Sequence, residues 1–456
     1  MADRIYRRWW ALSLLILLTA SHASADPQGG KKGCTSVCYG QTYAGGAQND
    51  GIFYSLTASG KSAQETPIYS FGQSGDGQNP IGDLVPDANG NFYGTTYNGG
   101  IFGFGTVFEL SPEAAGGCPA GSNTGNGWCE TVLYNFESGI DGANPSGGVT
   151  SDAKGNLYGA TMFGAGYGVI FELSQSGGQW TEQVLYTFNY TDGAYPNGGL
   201  AIDSSGNLYG TTNTGGADNS GGVIFELSQS GGQWTEQVLY NFDQLCQYCG
   251  VSTGSVPVAG VVLYNGSLFG TTSSGGSSVC FCGVVYELSP SSGSGWTYTL
   301  IHQFTLLDGA GPTELLLNSN SGNVYGTTQF GGMPAGCYYN LAATNGFITG
   351  AAPETLGCGT VFEVSSIGGL NNFSVLYRFA GGLDGSNPEA ELFIDSSGNL
   401  YGTTYFGGGT GCDMQNGCGT VFELTPLAGG VWTESILNRF DGTDGALPRS
   451  GLGPSN

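Results

Sequence analysis

A tetrapeptide, Tyr-Gly-Thr-Thr or a close variant, recurs seven times along this 456-residue chain. It begins at Tyr39, Tyr93, Tyr158, Tyr209, Phe269, Tyr325 and Tyr401, at intervals of 51 to 76 residues. Self-similarity at such a period is typical of proteins that stack supersecondary units, each too small to bury its own apolar faces. The repeat therefore constrains the fold more than any single residue does.

Each repeat unit contains four predicted strands, which we name A to D. In the clearest unit, residues 198–242, four apolar segments are separated by turn sequences, and strands A and B are joined by Asp203-Ser-Ser-Gly-Asn207. In the fifth unit the same connection is Asn265-Gly266, the preferred hairpin dipeptide. The 85 glycines, the 12% aromatic content and the low charge favour short strands with tight turns over long helices or disorder.

The two ends of the chain decide between a closed ring and an open solenoid. The first unit has no strand A, because the sequence passes almost directly from Gly33 to the tetrad at Tyr39. After the last strand D, residues 444–452 resemble the start of a strand A. We therefore predict an all-β fold, a seven-bladed β-propeller of four-stranded antiparallel blades, closed by pairing of the N- and C-terminal segments.

The first 25 residues have the features of an export signal. Three arginines within the first eight residues precede an apolar stretch at 11–20, and a small-residue motif ends at Ala25. An apolar core of about ten residues is too short for a membrane anchor, which needs roughly 20. We expect cleavage near Ala25 and a secreted or periplasmic protein.

The domain organisation follows from the repeat. We expect a signal peptide at 1–25, a linker at 26–32 and a single propeller at 33–456. The predicted unit boundaries are 33–71, 72–136, 137–188, 189–242, 243–304, 305–379 and 380–440, with 441–456 completing the first blade.

The chain is strongly acidic, with a formal net charge of −25. A nucleic-acid-binding protein needs a basic patch to displace counterions from phosphates, and this surface would repel them. We therefore expect no nucleic-acid partner and no membrane span, and we predict a monomer whose possible partners are a carbohydrate or an extracellular protein.

Twelve cysteines form six close couples in the sequence. The couples are Cys34 and Cys38, Cys118 and Cys129, Cys246 and Cys249, Cys280 and Cys282, Cys337 and Cys358, and Cys412 and Cys418. Local disulfides are typical of exported proteins, whereas zinc is disfavoured because one histidine, His302, follows the signal. A bond between Cys280 and Cys282 would close a small ring, so pairing of these two with Cys246 and Cys249 is the alternative.

The combination of Tyr-Gly-Thr-Thr, Gly-Gly and Gly-Thr-Val-Phe-Glu-Leu, as at residues 93–110 and 401–424, resembles the GloVer tandem-repeat family of exported bacterial proteins. The resemblance covers nearly all of the chain after the signal. It implies an extracellular repeat protein and no particular activity. The A–B segment at 199–209 is also similar to NHL-type propeller repeats, which supports the fold by analogy.

The sequence contains few groups for catalysis. One histidine after the signal rules out multi-histidine metal sites and disfavours a triad, and no Gly-x-Ser-x-Gly elbow is present. A glutamate recurs at one place in strand C, at Glu109, Glu172, Glu226, Glu287, Glu363 and Glu423. Catalysis needs one asymmetric pair, so we expect these glutamates to accept hydrogen bonds from a neighbouring blade or turn. We assign no catalytic, cofactor-binding or metal-ligating residue.

An Asp-Gly step follows strand D in six units, at Asp76, Asp141, Asp192, Asp308, Asp384 and Asp444. Turn formation explains this pattern. Calcium is the alternative ligand for these carboxylates, although the dense spacing of a dedicated calcium loop is absent.

In a propeller the B–C and D–A connections lie on one face, where ligands usually bind. The longest B–C insertion, at 331–359, carries Tyr338 and Tyr339 between Cys337 and Cys358. The other candidate ligand-face residues are Phe102, Phe104, Tyr405 and Phe406. Aromatic side chains on such a face can stack on a sugar or anchor a protein.

These features favour an extracellular, non-enzymatic binding or scaffolding propeller for a carbohydrate or a protein. A carboxylate-dependent polysaccharide lyase or hydrolase is the second hypothesis, and it requires two acidic groups facing each other in a cleft. A purely structural envelope protein is the third.

Overall fold

A computed structural model describes residues 37–59, 62–217, 221–242, 253–276, 280–293, 295–332, 337, 357–365, 372–409, 411–412 and 417–454. Within these ranges the chain forms seven antiparallel sheets, and helix is confined to short 3-10 turns such as Gly382–Asp384. The sheets are the seven blades of a β-propeller, so the predicted fold class is confirmed.

The strands follow the chain blade by blade. Blade 1 contains β1 (Val37–Thr42), β2 (Ile52–Ser59), β3 (Ser62–Ser70) and the last strand of the chain, β31 (Gly453–Pro454). Blade 2 contains β4 (Gly77–Pro86), β5 (Phe92–Gly99), β6 (Thr106–Pro112), β7 (Asn123–Gly125) and β8 (Trp128–Asn135). Blade 3 contains β9 (Ala143–Pro145), β10 (Thr150–Ser151), β11 (Leu157–Phe163), β12 (Val169–Ser176) and β13 (Gln179–Thr187). Blade 4 contains β14 (Ala194–Pro196), β15 (Ala201–Ile202), β16 (Leu208–Thr214), β17 (Val223–Ser230) and β18 (Gln233–Asn241).

The remaining three blades each have four strands in the described residues. Blade 5 contains β19 (Val262–Tyr264), β20 (Ser267–Thr272), β21 (Val284–Pro290) and β22 (Trp296–Gln303). Blade 6 contains β23 (Ala310–Asn318), β24 (Asn323–Phe330), β25 (Thr360–Ser365) and β26 (Asn372–Arg378). Blade 7 contains β27 (Phe393–Ile394), β28 (Leu400–Thr404), β29 (Thr420–Pro426) and β30 (Trp432–Arg439).

The ring is closed by strands from the two ends of the chain. β31 serves as strand A of blade 1 and pairs antiparallel with β1, with Cys38 opposite Pro454 and Tyr39 opposite Gly453. The Ser450 hydroxyl adds a hydrogen bond to the carbonyl of Gln41 at 2.9 Å. The predicted pairing of the terminal segments is therefore confirmed.

An aromatic contact joins every blade to the next. The phenylalanine after each strand D packs against the strand-C aromatic ring of the following blade, with ring centroids 5.1–5.4 Å apart. The pairs are Phe71–Phe108, Phe136–Phe171, Phe188–Phe225, Phe242–Tyr286, Phe304–Phe362, Phe379–Phe422 and Phe440–Tyr54. Because the last pair joins blade 7 to blade 1, the apolar core is continuous around the ring.

The tetrad explains how blades stay close together. Its glycine lies under a strand-C aromatic ring: Gly159 is paired with Phe171, and a Cβ there would lie 2.5 Å from the tip of that ring. The first threonine reaches the neighbouring blade, since the Thr95 hydroxyl donates to the carbonyl of Gly147 at 2.7 Å. In blade 1, Gln41 stands at this position, and its side-chain amide donates to the next blade in the same way.

The tyrosine of the tetrad binds the repeated carboxylates. In blade 4 the Tyr209 hydroxyl donates to Glu226 of strand C at 3.2 Å and to Asp203 of the A–B turn at 3.3 Å. Asp203 also accepts the backbone N–H groups of Ser205 and Asn207. The strand-C glutamate is thus structural, but its donor lies in the adjacent strand of its own blade and not in a neighbouring blade.

Most D–A turns are held by a hydrogen bond between a strand-D side chain and the turn aspartate. In blades 1, 2, 3 and 6 a tyrosine near the end of strand D donates to the turn aspartate, as Tyr186 does to Asp192 at 2.6 Å. In blade 5, His302 takes the place of this tyrosine, with its Nε2 3.1 Å from Asp308. The side chain of His302, in β22, therefore binds the D–A turn.

Four disulfides lie within the described residues, namely Cys118–Cys129, Cys280–Cys282, Cys337–Cys358 and Cys412–Cys418. Cys280 and Cys282 bond to each other, so the alternative pairing proposed for them is not adopted. Cys38 is also disulfide-bonded. Cys34, Cys246, Cys249 and the predicted signal and linker lie outside the described residues. In the described part of the chain, no helix is long and apolar enough to span a membrane.

Candidate functional site at the channel mouth

The seven A strands meet around the axis of the ring. A shift in register at the centre of β4, between Ile81 and Val85, brings the Gly82 backbone against the next blade. Gly82 has a φ of +70°, and a Cβ there would lie 1.9 Å from the nitrogen of Gly148. Only glycine allows this approach.

The residue before the buried apolar side chain of strand A differs between blades. It is glycine in four blades (Gly148, Gly199, Gly260 and Gly451) and an acid in three (Asp83, Glu314 and Glu391). The carboxylate of Asp83 accepts the backbone N–H of Gly451 at 2.5 Å. Glu314 accepts the backbone N–H of Glu391. The acidic side chains are therefore held by the strand A of an adjacent blade.

Asp83 and Glu314 act on each other although they belong to blades 2 and 6. Burial in the channel raises the pKa of Glu314 to about 8, and the charge of Asp83 adds to that increase. Because three blade boundaries separate the two residues along the ring, this coupling acts across the axis. The channel lining is thus acidic.

The mouth of the channel is lined by the residue that follows each tetrad. In the consecutive blades 7, 1 and 2 this residue is tyrosine, namely Tyr405, Tyr43 and Tyr97. The Arg449 guanidinium carbon lies 4.7 Å from the ring centroid of Tyr43 and 4.8 Å from that of Tyr405. Both distances are typical of cation–π contacts. We call these three tyrosines and Arg449 the mouth cluster.

Glu389 forms an ion pair with Arg449 of the mouth cluster. Its Oε2 lies 3.6 Å from Arg449 Nε, and 37% of the Arg449 side chain stays exposed to solvent. Burial opposes the charge of the guanidinium, but Glu389 and the flanking tyrosines raise the pKa of Arg449. The described residues contain four lysines and arginines, and of these Arg449 alone belongs to the mouth cluster. The cluster therefore presents a fixed positive charge between aromatic rings.

Strained turns hold the loops of the mouth face. The residue before the proline that leads into strand A has a φ of 54–62° in every blade. These residues are Asn79, Asn144, Tyr195, Val256, Gly311, Asn387 and Leu447. Asn79 donates its side-chain amide to the carbonyl of Tyr43 at 3.0 Å, and Asn144 donates to that of Tyr97 at 2.8 Å. The positions of two mouth tyrosines are thereby fixed from the next blade.

Large apolar side chains surround the mouth on the same face. Of the ten exposed large hydrophobic residues in the described ranges, six lie on the B–C and D–A loops of this face and Phe163 lies at the end of β11. The six are Ile101, Phe102, Phe104, Ile140, Leu307 and Leu383. Phe163 contacts the ring of Tyr195 with centroids 5.7 Å apart. An aromatic surface therefore extends from the mouth cluster towards blades 2 to 4.

The residues predicted from the sequence to bind a ligand differ in their positions on this face. Phe102 and Phe104 are exposed at its edge, and Tyr405 contacts Arg449. Phe406 contacts Tyr405 at 4.6 Å and packs partly into the core. Tyr338 and Tyr339 lie outside the described residues, although the disulfide that flanks them is formed.

Sequence analysis missed the rest of the site. Tyr43 and Tyr97 occupy the position after the tetrad, and Arg449 and Glu389 occupy the position after the proline that leads into strand A. Neither position belongs to the repeated motif. Aligning the seven units at the proline before strand A would have shown Arg449 and Glu389 as the charged members of their column. The same alignment would have shown Asp83 and Glu391 among glycines.

Together, the closed ring and the repeat define a tandem-repeat β-propeller. Residues 120–339 match the family model of the Gloeobacter/Verrucomicrobia repeat, which confirms the resemblance found in the sequence. The match covers a little under half of the chain. No curated protein matches the sequence.

Several solved structures share the fold. A 6-phosphogluconolactonase candidate from Bacteroides uniformis is 11% identical, with a TM-score of 0.53 over 91% of this chain and 97% of that chain. A protein from Lactobacillus plantarum is 12% identical, with a TM-score of 0.51 over 91% and 98%. A hypothetical selenium-binding protein from Sulfolobus tokodaii is 9% identical, with a TM-score of 0.52 over 91% and 93%. At these identities the likeness concerns the fold alone.

Proposed function

We propose that this propeller is an extracellular binding protein that holds an acidic polysaccharide at the channel mouth. The observation that carries the proposal is the mouth cluster, in which Arg449 is stacked between Tyr43 and Tyr405 and keeps part of its side chain in water. Aromatic rings stack on the apolar faces of sugars, and a guanidinium pairs with carboxylates in two-point hydrogen bonds. A uronic acid offers both groups on one ring.

The surroundings of the mouth cluster favour an extended ligand. The exposed Phe102, Phe104 and Phe163 lie on the same face and continue the aromatic surface outward. The chain is acidic elsewhere, so a single cation at the mouth would orient an anionic sugar there and repel it from the remaining surface. Binding is expected to weaken with salt, since a charge pair contributes to it.

The test is calorimetric titration of the protein, purified without residues 1–25, with tetragalacturonate and with neutral cellotetraose as the comparison sugar. We expect saturable binding of the uronate and at least tenfold weaker binding by Arg449→Gln. Arg439→Gln is the matched control, because Arg439 is exposed at the end of β30, donates to the carbonyl of Leu383 and lies outside the mouth cluster. Equal affinity of both variants and wild type for the uronate would refute the role of Arg449.

The channel acids favour the lyase or hydrolase hypothesis as a second candidate. The charge of Asp83 acts on Glu314, and the raised pKa of Glu314 is typical of a general acid. Both carboxylates nevertheless accept backbone hydrogen bonds, which orient them towards the neighbouring strands. New reducing ends in the same titration mixtures, lost in Glu314→Gln, would favour the enzyme over the binding protein.

A further inference from the structure

A second set of carboxyl groups lies on the outer side of the ring, at the blade boundaries. Five blades carry a glutamate as the third residue of the strand-D motif, and each glutamate faces the D–A turn aspartate of the preceding blade. The pairs are Glu65 with Asp444, Glu130 with Asp76, Glu182 with Asp141, Glu236 with Asp192 and Glu434 with Asp384. We call them the boundary pairs.

The pair of Glu130 and Asp76 shows which partner carries a proton. Both side chains are buried, with 1% and 2% of their surface exposed. Asp76 accepts hydrogen bonds from Tyr69 at 2.7 Å and from three backbone N–H groups, which stabilise its ionised form. Glu130 accepts one, from Asn123 at 3.1 Å, and its Oε1 is buried without a donor. Two adjacent buried charges would repel, so the glutamate is the protonated partner.

The same feature recurs at the other boundary pairs. The Oε1 atoms of Glu65, Glu182, Glu236 and Glu434 are also buried and lack a donor in the described structure. Burial comes first among the causes that raise the pKa of each glutamate, to about 8 for Glu65 and Glu130 and to about 7 for the other three, and the facing aspartate comes second. The other ionisable groups that face them are Asp441 and Tyr54 for Glu65, Tyr69 for Glu130, Tyr134 for Glu182, Tyr186 for Glu236, and Tyr377 and Arg439 for Glu434.

We propose that the five boundary glutamates are proton-binding sites that seal the blades to one another, so that the ring becomes more stable in acidic surroundings. A bound proton removes the charge that each glutamate would place beside the carboxylate of the preceding blade, and in the pair of Glu130 and Asp76 it also lets the glutamate donate a hydrogen bond to the aspartate. Loss of the proton places two negative charges across the boundary. A metal ion is a poorer occupant, because the Asp76 oxygens are already engaged by four donors and the described residues contain no group of three acidic, histidine or cysteine ligands.

The sign of the pH effect follows from proton binding. The folded protein holds protons that the unfolded chain releases above about pH 4.5, the ordinary range of glutamate. Stability is therefore fully present below that pH and declines as the pH rises to about 8, where the folded-state glutamates ionise. Above that pH the contribution is lost.

The experiment is thermal unfolding of the mature protein at pH 5.0, 6.5, 7.5 and 8.5, compared with a variant carrying Glu→Gln at all five boundary glutamates. Glutamine keeps the shape of a neutral acid. We expect the wild-type midpoint to fall by roughly 5–10 °C across this range and the variant to lose most of that decline. Glu226→Gln is the control and should behave as wild type, because Glu226 faces a tyrosine within its own blade.

Should the fivefold variant not fold, Glu130→Gln alone should remove a measurable part of the decline. A wild-type midpoint that is constant or rises with pH would overturn the proposal, as would an unchanged decline in the glutamine variants. Calcium chloride that restores the wild-type midpoint at pH 8.5, but not that of the variants, would also overturn it and assign a cation to the boundary pairs.

Discussion

Replacement of Leu452 by alanine should destabilise the propeller as much as the loss of a leucine from any interior blade. Leu452 is 5% exposed and packs with Tyr54 and Phe393 in the core between blades 7 and 1. It occupies the place in blade 1 that Leu392 has in blade 7, since each leucine lies against the glycine of its own tetrad. A buried leucine truncated to alanine costs about 3 kcal/mol, of which part is transfer and part is the cavity.

For a chain of this length that cost corresponds to a decrease of about 3 °C in the unfolding midpoint. The assay is thermal unfolding followed by tryptophan fluorescence, with Leu392→Ala as the matched interior variant. Leu383→Ala serves as the surface control and should change the midpoint by less than about 1 °C, because Leu383 is 64% exposed. A shift for Leu452→Ala as small as that of Leu383→Ala would show that the C-terminal segment does not complete blade 1.

Two further substitutions test the geometry of the ring. Gly82→Ala should destabilise the protein by several kcal/mol in thermal unfolding and reduce the yield of folded protein, because the new methyl group meets the Gly148 backbone. Gly90→Ala, also at positive φ but with no atom nearby, should cost about 1 kcal/mol. Equal costs would contradict the close approach of neighbouring A strands. His302→Tyr should change the free energy of unfolding in urea by less than about 1 kcal/mol, since tyrosine occupies this position in other blades. His302→Ala should cost about 1–3 kcal/mol. A large loss of stability in the tyrosine variant would indicate a role specific to imidazole.

The blades could be predicted from the sequence because the same pattern of strand and turn residues recurs seven times. Strand order, the A–B turns and the shared blade all followed from that pattern. The mouth cluster could not be predicted in the same way, since Arg449 and Tyr43 are 406 positions apart in the sequence and meet only after the ring closes. The boundary pairs could not be predicted for a related reason. Glu130 and Asp76 belong to different blades, and they interact only when the two blades pack together.

The location of the ligand is tested most directly by hydrogen–deuterium exchange of the protein with and without tetragalacturonate. We predict slower exchange in the B–C segments 43–46, 97–105 and 405–409 and in the D–A segment 441–449. Exchange should not change in the C–D hairpins of the opposite face, such as 176–179 and 426–432. Protection confined to those hairpins, or binding with no protection at the mouth, would contradict it.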